Sequence, residues 1–475
     1  MAAVTRHRPR VLVIGLDCAE PSLVFDRWRE ELPHLRQLMD NGTYGPMESS
    51  IPCITVPAWA SMMSGKDAGQ LGLYGFHNRA NYGYGRLSIA NSTSITTPQV
   101  CDLASQAGKQ VITIGVPPSY PPRPVNGVMV GCFLTPSTTN ASRPYTYPGE
   151  LAEEIRSQVG EYQVDVPNFR TNDKDYLLKQ IYDMSDQHFK LIRHLMRSRP
   201  WDFCMFVEIG VDRIHHGMWK YHDPTHPKHE PGNRYQDAIK DYYRYLDGQI
   251  GDLLELVDDN TTLWVVSDHG AKKMDGGFCF NEWLIQEGYL ALKTRPQGVA
   301  PLEKCEVDWA RTKAWGGGGY YGRLFLNVRG REPEGLIAPG DYETVRDELV
   351  CRLEALPDPL GQPLGTRVFK PQEIYRECRG VPPDLIVYFG DLAWRSVGSI
   401  GLDGIYTFEN DTGPDDANHA QFGMFIHYDP SRAGQGRVPA IRLMDVAPSL
   451  LTNLELPVPT AMQGRAPGFA RTGRA

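Results

Sequence analysis

The chain has 475 residues, with 49 Lys and Arg against 57 Asp and Glu, for a formal net charge of −8. That balance excludes a protein that wraps nucleic acid, because phosphate backbones are held by clustered Lys and Arg. With 41% hydrophobic and 10% aromatic residues, the chain is also too apolar to be disordered. Nine scattered cysteines and no CxxC pair favour reduced thiols over a disulfide framework, which points to a cytoplasmic protein. The first apolar run, Val11–Leu16, ends at Asp17 and is shorter than the roughly 7–15 residues of a signal-peptide core. No run of about 18 apolar residues follows, so no membrane partner is expected.

In chain order, short apolar runs predict strands at Arg10–Leu16, Gln110–Gly115, Val128–Phe133, Phe203–Ile209, Thr262–Ser267, Leu385–Phe389 and Met424–His427. They do not alternate strictly, as expected of strands buried on both faces of a parallel sheet. Between them, apolar residues at helical spacing predict helices over Pro148–Val159, Asp173–Arg197, Tyr235–Val257 and Asp341–Leu356. Strands alternating with helices give an α/β fold with a mostly parallel sheet and helices on both faces. The segment 271–410 differs, with the run Gly316–Gly319 set among aromatics and many turns. We expect a core over 8–270 and 411–465. The segment 271–410 is read as an inserted cap with some core strands, and 466–475 as a flexible tail.

Five places carry chemistry. Asp17 follows a core strand directly, where open α/β sheets bind ligands, or else caps the next helix. Thr55 opens a helical stretch, Thr55-Val56-Pro57-Ala58-Trp59, and is an N-cap unless something activates its hydroxyl. Asp212 and His216 stand four apart after the strand at 203–209, which on a helix puts them on one face. Asp268-His269-Gly270 again follows a strand, and the glycine is expected to let both side chains turn to one ion. His419 precedes an apolar strand. Three carboxylates, three imidazoles and one hydroxyl suit two divalent metals, Zn²⁺ first, with Mn²⁺ or Fe²⁺ as alternatives.

The order I-G-L-D, T-V-P-A-W-A-S-M-M-S-G, D-R-I-H-H, V-V-S-D-H-G and N-H-A-Q-F-G-M-F-I resembles the alkaline phosphatase superfamily. Within it, the chain is similar to the type I phosphodiesterase/nucleotide pyrophosphatase family, and Asp445 to Arg465 resembles the closing segment of many members. The resemblance implies Asp17, Thr55, Asp268 and His269 around one metal and Asp212, His216 and His419 around the other. Thr55 would be the nucleophile, passing through a phosphothreonyl enzyme. The family's His-Gly reads Leu71-Gly72 here, and its phosphate-binding asparagine falls on Phe76, with Asn78 two residues on. Asn78 and Lys272 are the expected substrate contacts.

The expected substrate is therefore a small phosphorylated molecule, possibly a nucleotide, with a phosphodiester or pyrophosphate bond cut. A phosphomonoesterase or phosphonate hydrolase on the same site is the alternative. A catalytically inactive binding protein is the alternative of another class. Oligomeric state has no signature in this sequence.

Overall fold

Runs that are apolar on both faces need cover on both faces, and that requirement organises the protein. The computed structural model describes residues 9–85 and 87–470. Its main sheet contains β1 (Arg10–Leu16), β2 (Thr43–Glu48), β3 (Val111–Ile114), β4 (Gly127–Val130), β5 (Thr146–Tyr147), β6 (Phe203–Glu208), β7 (Thr261–Val266) and β8 (Phe422–Tyr428). Two short strands at Gly436–Arg437 and Ile441–Arg442 pair with β2 and complete ten strands. The order is β2-β8-β7-β1-β6-β3-β4-β5, parallel from β7 to β4, with β8 running antiparallel between β2 and β7.

Successive side chains of each strand enter opposite layers. Leu12, Ile14, Cys204 and Phe206 pack under α1 (Pro33–Asn41), α4 (Lys174–Ser198), α5 (Gly210–His222) and α6 (Ala238–Leu254). Val11, Val13, Phe203 and Met205 pack under α2 (Thr55–Ser64), α3 (Val100–Gln106) and α7 (Val446–Asn453). The stripe Leu177, Ile181, Met184, Phe189, Ile192 and Leu195 is buried along α4. Each such side chain contributes about 1.5–3 kcal/mol on burial, so the periodicity read from the sequence is what docks the helix. Among the described residues no helix is long and apolar enough to cross a membrane.

The run at Leu385–Phe389 does not join this sheet. Leu385–Tyr388 pairs antiparallel with Gly322–Leu326 and Arg367–Phe369 in a separate four-stranded sheet completed by Ala314–Gly317. Its packing partners, among them Phe278, Phe280, Trp283 and Leu349, form a core of their own. No strand of the ten-stranded sheet falls within 271–410, so the core strands expected there belong to the cap. The helix expected from Pro148 begins at Leu151. Of the expected tail, 471–475 lie outside the described residues, as does residue 8. Phe469 and Ala470, however, are buried, with Phe469 stacked on Phe425 at 5.5 Å. An aromatic ring with an apolar slot available does not stay in water.

Candidate active site

Strand register assembles the site. Leu16 lies opposite Glu208, and Gly15 opposite Val266, so Asp17, the start of α5 and Asp268 all leave the sheet at one edge. Because β8 is antiparallel, its beginning lies at that same edge. The preceding strand Ala417–Ala420, paired with Gly270–Lys273, places His419 beside Ala271. α2 delivers Thr55 from the opposite layer, and Gly15 makes room for it: a Cβ there would stand 2.7 Å from the Trp59 ring.

None of these groups is spent on ordinary structural work. Asp17 caps no helix; its Oδ2 accepts from Trp59 Nε1 at 2.7 Å. Thr55 is the first residue of α2, whose N-cap position is Ile54. Its hydroxyl lies 3.5 Å from His269 Nε2 and is buried. Cys18 adopts φ 67°, a left-handed turn that a non-glycine residue takes only where its surroundings enforce it. That turn aims the Cys18 amide at Asp268 Oδ1, 3.2 Å away. Gly270 has an ordinary φ. A Cβ there would lie 2.3 Å from the Phe422 carbonyl, so close approach of β8 requires the glycine, not a special turn.

Two triads result, Asp17 with Asp268 and His269, and Asp212 with His269 and His419; within each, the ligand atoms lie within 4.8 Å of one another. His269 thus sits between them, its ring stacked on His419 at 3.8 Å. His216 approaches the second triad through Nε2, 3.2 Å from Asp212 Oδ1. Five buried atoms face this volume without a hydrogen-bond partner: Asp17 Oδ1, Asp212 Oδ1, Asp268 Oδ2, His216 Nε2 and His419 Nε2. Buried polar atoms left unpaired cost about 1–3 kcal/mol each, and a mixed carboxylate–imidazole set of this kind fits divalent cations such as Zn²⁺.

The electrostatics divide the set, since a metal ligand must be an ionised carboxylate or a neutral imidazole. Burial, then the Asp212 charge, pushes the Asp17 carboxyl well above its usual range. Burial and then Asp17 do the same to Asp268. Burial also raises Asp212, but His216 and Arg213 outweigh it and hold that carboxyl low. Against the cost of burial, Asp415 and Asp212 lift His216 to about 9. Burial drops His269 to about 4 and moves His419 down as well, which keeps both imidazoles neutral, the state a metal ligand needs.

Several supporting residues were not anticipated from sequence. Asp415 Oδ1 accepts from His216 Nδ1 at 2.7 Å, and the Cys53 carbonyl accepts from His419 Nδ1 at 2.9 Å, fixing which nitrogen faces the site. Glu208 accepts from the Gly210 amide at 2.8 Å and from Ser185 at 3.1 Å, and meets His188 at 3.1 Å, bracing the entry to α5. Tyr320, which follows the glycine run, stacks on His419 at 4.4 Å and donates to Asp415 at 2.9 Å. The two expected substrate contacts are committed elsewhere. Asn78 accepts from the Tyr74 amide and donates to the Gly75 carbonyl, closing its own turn. Lys272 donates to the Asp391 carbonyl at 2.8 Å. His222 and His226 are buried and bond to Arg27 and to the Asp416 carbonyl outside the site.

A central, mostly parallel sheet between helical layers, with acids and imidazoles along one edge, defines a fold of the alkaline phosphatase type. Murine ectonucleotide pyrophosphatase/phosphodiesterase 5 superposes with a TM-score of 0.54 at 14% identity, covering 95% of this chain and 96% of that one. An inactive threonine-to-alanine variant of the murine protein, in complex with AMP, gives 0.53 at 14% over 95% and 96%. The human counterpart gives 0.53 at 13% over 96% of each chain. No curated protein matches by sequence. The family model described as type I phosphodiesterase / nucleotide pyrophosphatase matches residues 11–415. The chain belongs to that family.

Proposed function

We propose that this protein is a two-metal hydrolase of phosphodiester or nucleotide pyrophosphate bonds that works through a phosphothreonyl intermediate on Thr55. Family membership supports hydrolysis of such bonds. The observation that carries the finer reading is the set of five unpaired buried ligand atoms converging beside a Thr55 hydroxyl that caps nothing. Asp17, Thr55, Asp268 and His269 would hold one divalent cation, and Asp212, His216 and His419 the other. Bound there, the cations would lower the hydroxyl pKa and neutralise phosphate oxygens.

The rest falls to the chain. Thr55 gives up its hydroxyl proton to solvent and bonds through Oγ1 to phosphorus as the bond to the leaving alkoxide or phosphate oxygen breaks; a water then adds its oxygen to phosphorus, the Thr55–phosphorus bond breaks, and Oγ1 takes back a proton. Thr55 sits at the amino end of α2, where the helix dipole and free amides favour phosphate. Asp415 holds His216 in one tautomer, and Trp59 holds the Asp17 carboxylate in one rotamer. The substrate we infer is a small phosphorylated molecule of the nucleotide class.

The test is turnover of bis(p-nitrophenyl) phosphate against p-nitrophenyl phosphate by the metal-loaded protein. Diester preference is expected. Monoester preference would reassign the site to a phosphomonoesterase, and no turnover with Zn²⁺, Mn²⁺ or Fe²⁺ would make it a binding protein.

A further inference from the structure

Beside Thr55 lies a cavity of about 390 Å³ that reaches the site through Ile54. Four guanidinium groups line it, those of Arg170, Arg213, Arg323 and Arg395, together with His77; among the described residues no carboxylate lines it. Three of the four are already engaged, Arg323 by donating through Nη1 to the His77 carbonyl. Arg213 is clasped by Asp165 at 2.7 and 2.8 Å and by Asp212. Arg170 donates to Asp415 at 3.2 Å and to the Tyr320 hydroxyl at 2.8 Å.

Arg395 is different. It is 5% exposed, yet its Nε and Nη1 are buried without a hydrogen-bond partner. Its ion pairs are long, 3.4 Å to Asp411 and 4.0 Å to Asp415. A buried guanidinium with idle donors is costly unless an anion completes it.

The aromatic rings nearby support charge more than they offer a free face. The Phe169 ring carries the Arg170 and Arg213 guanidiniums at 4.5 and 4.4 Å. Tyr320 is stacked on His216 and His419. A cavity so lined recognises a compact anion better than an apolar ring.

We propose that this cavity is a second anion subsite, one that receives a phosphate-like group carried by the substrate away from the bond that is cut. This rests on the phosphodiesterase reading for the bond at Thr55 and narrows its substrate class to diesters bearing a further anionic group. Arg395, which also borders the neighbouring cavity beside Asp415 and Asp416, would turn its unpaired donors to the anion, Arg323 stands half-buried at the rim, and Arg170 and Arg213, each paired with carboxylates, complete the wall.

The experiment compares two chromogenic diesters on the metal-loaded full-length enzyme: phenyl p-nitrophenyl phosphate and its para-phosphonomethyl derivative. The derivative should be favoured at least tenfold in kcat/KM, mainly through KM. Arg395→Met and Arg323→Met should each shrink that ratio at least fivefold, and Arg395→Lys should keep part of it. A wild-type ratio near one, or a ratio untouched in Arg395→Met, would overturn the subsite and leave Arg395 a strut for Asp415. Should the wild type cut neither diester, the phosphodiesterase reading fails by itself. Calorimetry of benzylphosphonate binding to metal-loaded Thr55→Ala then decides the subsite separately. Binding at least tenfold weaker when Arg395→Met is added supports it, and equal binding refutes it.

Discussion

The sheet edge and the cap build two halves of one crevice by different means. At the edge, Asp17, Asp268 and the entry to α5 are placed by register: once β1 pairs with β6 and β7, their positions follow. In the cap, Tyr320 and Arg395 stand on a turn and on a short strand, and what aims them is contact with the core, through His216, His419 and Asp415. Backbone periodicity thus sets the half that carries the acids and imidazoles, while tertiary packing sets the half that faces them. Chemistry common to many substrates belongs on the rigid part, and selectivity belongs on the part whose segments can vary without disturbing the sheet.

Substitutions can break this division. The largest effect is expected at Thr55. Thr55→Ala should cut turnover by something on the order of 10³–10⁶-fold while metal content and thermal unfolding stay close to wild type; near wild-type turnover would remove the covalent step. Asp268→Asn comes next. It removes a carboxylate from the first triad, and metal analysis after dialysis should show loss of bound ion with the fold retained. Unchanged stoichiometry would show that Asp268 is not a ligand.

The cap should respond in the opposite way, in stability more than in chemistry. Arg79, on the hairpin strand His77–Arg79 that follows α2, pairs with Glu332 of the segment 271–410 at 3.2 Å, both side chains buried. Its guanidinium also lies 5.1 Å from the Trp315 ring and 5.2 Å from Phe325. Arg79→Met removes one of two cations from Glu332, which keeps Arg331 Nε at 3.0 Å and the Val328 amide at 2.9 Å, so the loss should fall below the about 3–5 kcal/mol of an uncompensated buried charge. Hydrogen exchange should rise across 314–326 while β1, β6 and β7 stay protected. Uniform loosening would mean that sheet and cap unfold as one unit.

The same contrast explains what the sequence discloses. Asp17, Asp212, Asp268 and Thr55 are legible because each follows a strand or opens a helix, and local pattern alone locates such points. The strand β2 escaped because Thr43-Tyr44-Gly45-Pro46 carries a proline and a glycine, which read as a turn. Proline is tolerated there because Met424, opposite Pro46, turns its carbonyl to the Ser267 amide instead, and the two short strands on the other side of β2 pair only at 43–44 and 47–48. Leu385–Tyr388 reads as a core strand because it is fully buried, and burial does not say in which of two cores. Asp415, Arg170 and Arg395 have no local signature at all. They are far apart in sequence, and only the fold makes them neighbours.

The smallest effect separates the two halves by pH. The sheet layers bury several histidines in neutral form, and His427 on β8 is one that takes no part in the crevice. It is 3% exposed, packs 4.7 Å from Trp264, and has an unpaired Nε2. Burial lowers its pKa to about 4, against roughly 6.5 in the unfolded chain. Above pH 6.5 both states are neutral and the full stability is present. As the pH falls from 6.5 to 4 the unfolded chain takes up a proton that the folded one refuses, so stability is lost over that window and levels off below it. At pH 5 the loss assigned to His427 is about 2 kcal/mol at 1.36 kcal/mol per pKa unit. His427→Phe keeps a ring against Trp264 and Phe469 and does not titrate. Urea unfolding at pH 7 and pH 5 should therefore show the variant gaining on the wild type by about that amount at the lower pH. A difference independent of pH would place the acid sensitivity of the sheet in other groups, beginning with His215, whose pKa burial lowers to about 3.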